Sequence, residues 1–397
     1  MEGMFDEIID RRGTNCVKWD ECETMDMLPL WVADMDFRVA QPIAQALRKR
    51  MEHEVFGYVC VPDSYYDAVI GWFQRRHGWT MKREWIIYTS GVVPAISAII
   101  KAMAKPGEKV LVMTPVYNCF FSSIRNNGCM ADEVPLTRKG DSYVIDFEEL
   151  ERHAADPATT VLLLCNPHNP AGRVWTREEL QRIGDICLRH GVFVIADEIH
   201  CELVMPGHRY TPYASLGGDY QLHSATCTSA SKAFNIAGLQ IANITVEDPQ
   251  VRQRIDRAIN INEVCDVNPF GIVALQAAYN ECEPWLEQLN AYLYDNYLFA
   301  KEFIEQHLPM LKVTRLEGTY LLWLDVSALL SGSSAPVSGA QSLCDVLKKE
   351  ARLWFAAGTT YGAAGEGFVR INLACPRATL KEALHRLHNY VSSRQSH

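Results

Sequence analysis

The chain has 397 residues, 48% hydrophobic and 22% charged, which fits a globular protein long enough for two cores. Its formal net charge is −10, from 48 acidic against 38 basic side chains, and this argues against nucleic acid or an anionic membrane as a main partner. The start of the sequence has no basic stretch followed by an apolar one, no apolar run is long enough to span a bilayer, and the 13 cysteines include no C-x-x-C pair. The expectation is therefore a cytoplasmic protein with free thiols.

Residues 85–88 read as a strand and 92–104 as a helix, with Ser90-Gly91-Val92-Val93 at the junction. Residues 109–113 form a second strand, ending at Thr114-Pro115 just before Tyr117. Residues 160–165 form a third, followed by Asn166-Pro167-His168-Asn169-Pro170. Residues 178–190 place Leu180, Ile183 and Ile186 at helical spacing, and 192–196 form a strand that ends in Asp197-Glu198. Apolar runs without two-residue alternation, separated by helices, predict parallel strands covered on both faces, hence an α/β fold. Ligands of such sheets bind beyond the carboxyl ends of the strands, where the unusual polar residues fall. After residue 284 the pattern changes to α+β: a helix over 285–307, a strand over 319–326, a composition-defined loop over 331–336, a helix over 341–352, a strand over 367–374 and a last helix from about 379.

Five elements carry candidate chemistry. Asp197 closes an apolar strand, so its carboxylate is expected to be buried and to need a donating partner. Taken alone it is a salt bridge or a helix cap. Lys232 sits among Ser229, Ala230 and Ser231, a composition that suits a phosphate site beside an amine. Taken alone it is an exposed lysine in a serine-rich turn. Val92 and Val93 open a helix whose free backbone N–H groups attract an anion. Asn169 lies in a rigid polar loop, and Tyr117 offers a ring to cover a planar ligand. Together these supply a phosphate cup, a stacking ring, a hydrogen-bond donor, an acid and an amine, the parts of a pyridoxal 5′-phosphate (PLP) site.

In this order, S-G-V-V, T-P-V-Y, N-P-H-N-P, A-D-E-I-H and S-A-S-K resemble fold-type I PLP enzymes, the aspartate-aminotransferase superfamily. The segments F-D-E-I-I-D-R-R-G-T-N from Phe5 and L-W-V-A-D-M-D-F from Leu30 are similar to the MalY/PatB branch of cystathionine β-lyases, also called cysteine-S-conjugate β-lyases. The resemblance implies a three-layer αβα PLP-transferase fold with a mostly parallel sheet. It further implies a large domain over 49–283 and a small α+β domain over 284–397, to which the N-terminal segment 1–48 belongs.

The resemblance also implies roles. Lys232 forms the Schiff base, Asp197 pairs with the pyridinium nitrogen, Asn169 bonds the phenolic oxygen and Tyr117 stacks on the ring. Val92, Val93, Ser229 and Ser231 surround the phosphate, and Tyr58 reaches a phosphate across a homodimer interface. Arg370 binds the substrate α-carboxylate. Its place between Val369 and Ile371 on a strand turns it to the opposite side from them, and its fork matches a carboxylate. His200 stands where many aminotransferases carry Tyr, as the lyase branch does. It either tunes the cofactor or is simply hydrogen-bonded nearby. Trp31 and Tyr361, with Tyr117, are aromatic candidates for the leaving-group side. His385 and His388 share a helix face and read as solvated rather than metal-binding.

The implied reaction is α,β-elimination from cystathionine or another S-substituted L-cysteine, with Lys232 as the base. It yields a thiol, pyruvate and ammonia. An aminotransferase shares the first half of that chemistry, and a non-catalytic binding protein on the same fold is the third reading.

Overall fold

The computed structural model describes residues 3–261, 267–330 and 338–395, so the loop expected over 331–336 lies outside the described residues. The N-terminal part contributes β1 (Leu28–Pro29), α1 (Gln41–Met51) and α2 (Asp63–His77). The main sheet is built from β2 (Ile86–Thr89), β3 (Lys109–Thr114), β4 (Met130–Pro135), β5 (Thr159–Cys165), β6 (Phe193–Asp197), β7 (Ser224–Thr228) and β8 (Ala242–Thr245). Helices α3 (Val92–Met103) and α4 (Arg177–His190) lie on its crossovers. Helices α5 (Pro269–Glu281) and α6 (Glu283–His307) lead to a second sheet of β9 (Lys312–Val313), β10 (Leu321–Asp325), β12 (Ala356–Ala357) and β13 (Phe368–Asn372). Strand β11 (Leu353–Trp354) pairs instead with β1, and α7 (Arg377–Gln395) follows.

Strand order in the main sheet is β2-β8-β7-β6-β5-β3-β4. Only β8 runs against its neighbours, β2 and β7; every other pair is parallel. Strands β2, β3, β5, β6 and β7 therefore run the same way, and their carboxyl ends emerge along one edge. The expected α/β architecture is present, and the absence of two-residue alternation has a direct cause. Leu111, Leu162, Leu164 and Val194 enter the core that holds Leu180, Ile183 and Ile186 of α4. Val110, Val112, Val161, Leu163 and Ile195 enter the core on the other face, with Ile96 and Ile99 of α3. Both faces are dry, so both residue parities are apolar. Helix α4 is closed by a capping box between Thr176 and Glu179 and stops at Gly191, whose φ of +69° is the left-handed geometry a glycine adopts freely. The helix expected over 341–352 is shorter: Ala340–Val346 is α-helical, then Leu347–Ala351 widens to a π turn and Arg352 takes φ +55°.

The N-terminal segment is held by charge. Lys18 is 0% exposed, with Nζ 2.7 Å from Asp36 Oδ2. Arg11 lies 2.7 Å from a carboxylate oxygen of both Asp34 and Asp36, and Trp19 Nε1 donates to Asp36 at 2.8 Å. Asn372, at the end of β13, donates to the carbonyls of Val32 and Asp34 at 2.6 Å each. The stretch 32–36 is thus fixed from two sides. A buried acid deprived of one cation is costly. Lys18→Met is expected to lower stability by about 3 kcal/mol, the low end of the usual range because Arg11 still faces Asp36. The denaturation midpoint measures this; an unchanged midpoint would show the pair to be energetically neutral.

Candidate active site

A cavity of about 700 Å³ opens between the carboxyl edge of the main sheet and the second sheet. It is lined by Lys232, Asp197, Asn169, Tyr117, His200, Val92, Val93, Ser231, Arg370, Trp31 and Tyr361. Strand register explains much of this. Cys165 of β5 pairs with Asp197 of β6, and Asp197 with Cys227 of β7, so three strand ends and the loops that follow them lie side by side. The β3 loop is tied across the site: Val116 N–H donates to Tyr361 O at 2.9 Å, and His168 Nε2 meets Pro115 O at 2.8 Å.

Asp197 is buried, and among the described residues the hydrogen bond to its carboxylate comes from Ile199 N–H at 3.1 Å. Burial pushes its carboxyl up to about 7, opposed by that bond and by the nearby Lys232 amine. Among the described residues no cation bonds to it. Lys232 Nζ donates to Ala33 O at 2.5 Å, and burial, then the Arg370 guanidinium, bring the amine down to about 8. Arg370 leaves β13 with 5% exposure. It donates to Asn169 Oδ1 at 3.2 Å and to Trp31 O at 2.8 Å, and lies 4.7 Å over the Tyr361 ring. No carboxylate among the described residues pairs with it. His200 is buried and kept neutral, its pKa driven well down by burial and then by Lys232 and Arg370. Its Nδ1 has no hydrogen-bond partner among the described residues. Burial raises the Tyr117 hydroxyl well above its usual range.

Helix α3 starts at the cavity wall with Gly91 as N-cap and no side-chain cap, so its first N–H groups are available to an anion. The cavity therefore offers an anion cup, a partly neutralised amine and, among the described residues, a buried acid and a guanidinium that form no ion pair. That set fits a phosphorylated cationic ring together with an amino acid.

Two expected residues lie elsewhere. Ser229 is buried and does not line the cavity: its hydroxyl donates to Ile241 O at 2.5 Å and accepts from Ser231 N–H at 3.0 Å, which shapes the turn before Lys232. Tyr58 is 94% exposed and outside this chain's own cavity. Sequence reasoning also missed Ala33, Tyr320 and Trp354. Tyr320 OH donates to the same Ala33 carbonyl at 2.9 Å, and Trp354 stacks on Trp31 at 4.5 Å between centroids. No local pattern marks these, because each meets its partners across long stretches of chain, 199 residues for Lys232 with Ala33 and 287 for Tyr320 with Ala33. His385 and His388 flank Phe303 and His307, and no cluster among the described residues suits a metal ion.

Comparison with known proteins narrows the assignment. Residues 26–387 match the family described as aminotransferase class I and II. The cystathionine β-lyase PatB of Bacillus subtilis is 42% identical, covering 96% of this chain and 98% of that protein. The chain belongs to the class I and II aminotransferase family, in the branch of PatB and MalY. The protein MalY of Escherichia coli is 34% identical over 98% of each. Among solved structures, cystalysin of Treponema denticola, which contains PLP, superposes with a TM-score of 0.94 at 34% identity over 98% of each chain. A PLP-bound C-S lyase of Staphylococcus hominis gives 0.90 at 33% over 97% of each. The fold is thus the fold-type I architecture expected.

Asp197 makes a prediction whose sign is unusual. Its folded pKa is raised above the unfolded value, so the native state holds an extra proton between about pH 4 and 7, and stability falls as pH rises through that window. In the cofactor-free chain, Asp197→Asn is expected to raise stability at pH 8 by about 2 kcal/mol or more. The gain should shrink toward pH 5. Urea midpoints at the two pH values test this; a loss of stability at pH 8 would mean that the acid has a cation partner.

Proposed function

We propose that the chain is a PLP-dependent carbon–sulfur lyase that acts on S-substituted L-cysteines, including cystathionine, and releases a thiol, pyruvate and ammonia. The observation that carries this reading is the pairing of a lyase-type relative along almost the whole chain with a cavity whose acid, amine and guanidinium form no ion pair among the described residues. When bound, PLP supplies an electron sink for the carbanion at the substrate Cα.

The chain's own residues do the rest. Asp197 keeps the ring nitrogen protonated, and Asn169 donates to the phenolic oxygen. Tyr117 covers the ring, and His200 borders it as a neutral group. The N–H groups at Val92 and Val93, with Ser231, hold the phosphate, while Ser229 orders the turn that carries Lys232. Arg370 takes the α-carboxylate and fixes which Cα bond faces Lys232. The Lys232 amine, at a pKa of about 8, has a substantial unprotonated fraction near neutral pH and removes the Cα proton. The Cβ–S bond then breaks, the thiol leaves, and the released enamine takes up water to give pyruvate and ammonia. With cystathionine the thiol is homocysteine, which links the reaction to methionine biosynthesis.

The working unit on this reading is a homodimer. Tyr58 is exposed beside Val55 and Phe56, which are also exposed, and it reaches the partner's phosphate. The cysteines described are all free, in keeping with a reducing cytoplasm.

The test is holoenzyme with cystathionine and a panel of S-substituted cysteines, and no keto acid. Thiol and pyruvate are expected in equal amounts. Lys232→Ala should lower kcat by about 10²-fold or more, and Arg370→Ala should act mainly on KM. Turnover that requires an added keto acid would identify an aminotransferase instead.

A further inference from the structure

The charged side chains lining the cavity among the described residues are Lys232, Arg370 and Asp197. On the lyase reading all three are engaged by the cofactor ring, the Cα proton and the α-carboxylate. The wall beyond Arg370 is of another kind. Trp31 and Trp354 stack with centroids 4.5 Å apart and planes 13° apart. Lys348 Nζ lies 3.9 Å from the centroid of Trp354, which requires the face that Trp31 leaves free, and it is paired with Glu23 at 2.7 Å. That cation is therefore shielded from the cavity by the ring and already neutralised. Ala356, Ala357 and Tyr361 continue the wall, with Gln341 at its polar margin, its Nε2 bonded to Asp345.

The position of this wall is tied to the carboxylate anchor. Trp31 O accepts from Arg370 at 2.8 Å, and Ala356 sits opposite Arg370 in the second sheet. A substrate held by Arg370 thus has the indole pair close by. Trp31 is fixed from behind by Trp354 and along its backbone by the Leu30 N–H bond to Trp354 O at 2.9 Å. It is a rigid shelf that gains nothing by moving. Its Nε1 is shielded and has no acceptor.

We infer that the Trp31–Trp354 shelf is the leaving-group subsite, and that it selects L-cysteine thioethers with neutral alkyl or aryl S-substituents over cystathionine. This rests on the lyase reading and deepens it. Cystathionine carries a second ammonium and carboxylate on its far end. Bringing both against a neutral aromatic wall strips their water and returns no opposite charge. A benzyl or ethyl group loses nothing there, and its apolar area is covered by the indoles.

The experiment compares kcat/KM of the holoenzyme for S-benzyl-L-cysteine, S-ethyl-L-cysteine, L-cystathionine and β-chloro-L-alanine. The last has a leaving group but no S-substituent, so it reports elimination alone. S-benzyl-L-cysteine is expected to exceed cystathionine by about tenfold or more. In Trp31→Ala, the ratio of S-benzyl-L-cysteine to β-chloro-L-alanine should fall by about tenfold, whatever loss the two share. Trp354→Ala should move the same ratio in the same direction. If β-chloro-L-alanine gives no pyruvate, the lyase reading fails and the inference with it. If it does, and cystathionine matches or exceeds the benzyl substrate, only the shelf inference is overturned, as it is if the ratio stays constant in both variants. Should neither variant fold, the wild-type ranking alone decides.

Discussion

A carboxylate sealed at the end of a buried strand, with one N–H as its hydrogen-bond donor among the described residues, sets the terms for the site. Asp197 lies between strand ends that carry Cys165 and Cys227, and burial, then the Asp197 charge, raises the pKa of both thiols. Burial of an acid in such a place has a cost, and the fold does not relieve it internally. Relief has to come from a ligand that brings a positive or donating atom to the floor of the cavity. The same ligand meets the uncapped start of α3, which favours an anion. A molecule with a cationic heteroatom at one end and a phosphate at the other satisfies both. The electrostatics thus favour PLP independently of family membership.

The N-terminal segment has a part in this that its sequence conceals. Arg11, Lys18, Asp34 and Asp36 form a partly buried charge network, and Asn235, three residues past Lys232, bonds the same stretch through Met35 and Phe37. Between these clamps lies the Ala33 carbonyl, which accepts from both Lys232 and Tyr320. A backbone carbonyl cannot be tuned by substitution, so its position has to be set by what surrounds it. The D-x-D motif after Trp31 is therefore more than a mark of the lyase branch. It sets where the Lys232 amine rests in this structure, on the Ala33 carbonyl.

Legibility followed local chemistry. Strands β3, β5 and β6 were readable because both of their faces are dry and their runs are apolar throughout. Strands β7 and β8 were not, because S-A-T-C-T and A-N-I-T interrupt the apolar run with buried polar residues, some of them bonded only across the fold and some, such as Thr226 Oγ1 and Asn243 Nδ2, with no partner among the described residues. Asn243, for example, accepts from Tyr65 OH at 2.9 Å. Asp197, Lys232, Asn169 and Arg370 were readable as candidates because each is an unusual residue type at a strand end or on a strand. Ser229 shows a limit of composition, which cannot tell a hydroxyl that faces a ligand from one that ties its own turn, as Ser229 does through Ile241 O and Ser231 N–H. Trp354 was invisible because it meets Trp31 only through the pairing of β1 with β11, 325 positions apart by the register of Pro29 with Trp354.

That long-range pairing joins two functions in one residue. The Trp31 carbonyl accepts from Arg370, and Trp31 lines the same cavity; on the lyase reading its indole faces the space beyond the α-carboxylate. A change that reshapes the wall will also move the guanidinium, because both hang on the same backbone. Divergence of specificity is then easier at positions that touch the wall without touching Arg370, such as Gln341, or that support it from behind, such as Trp354. In β-elimination the orientation of the Cα–H bond and the departure of the thiol are needed together, and a rigid shelf fixed to the carboxylate anchor supplies both with one element. Among relatives of this fold, substrate preference should therefore vary with the partner stacked on the residue at Trp31 more than with the residues around the cofactor ring.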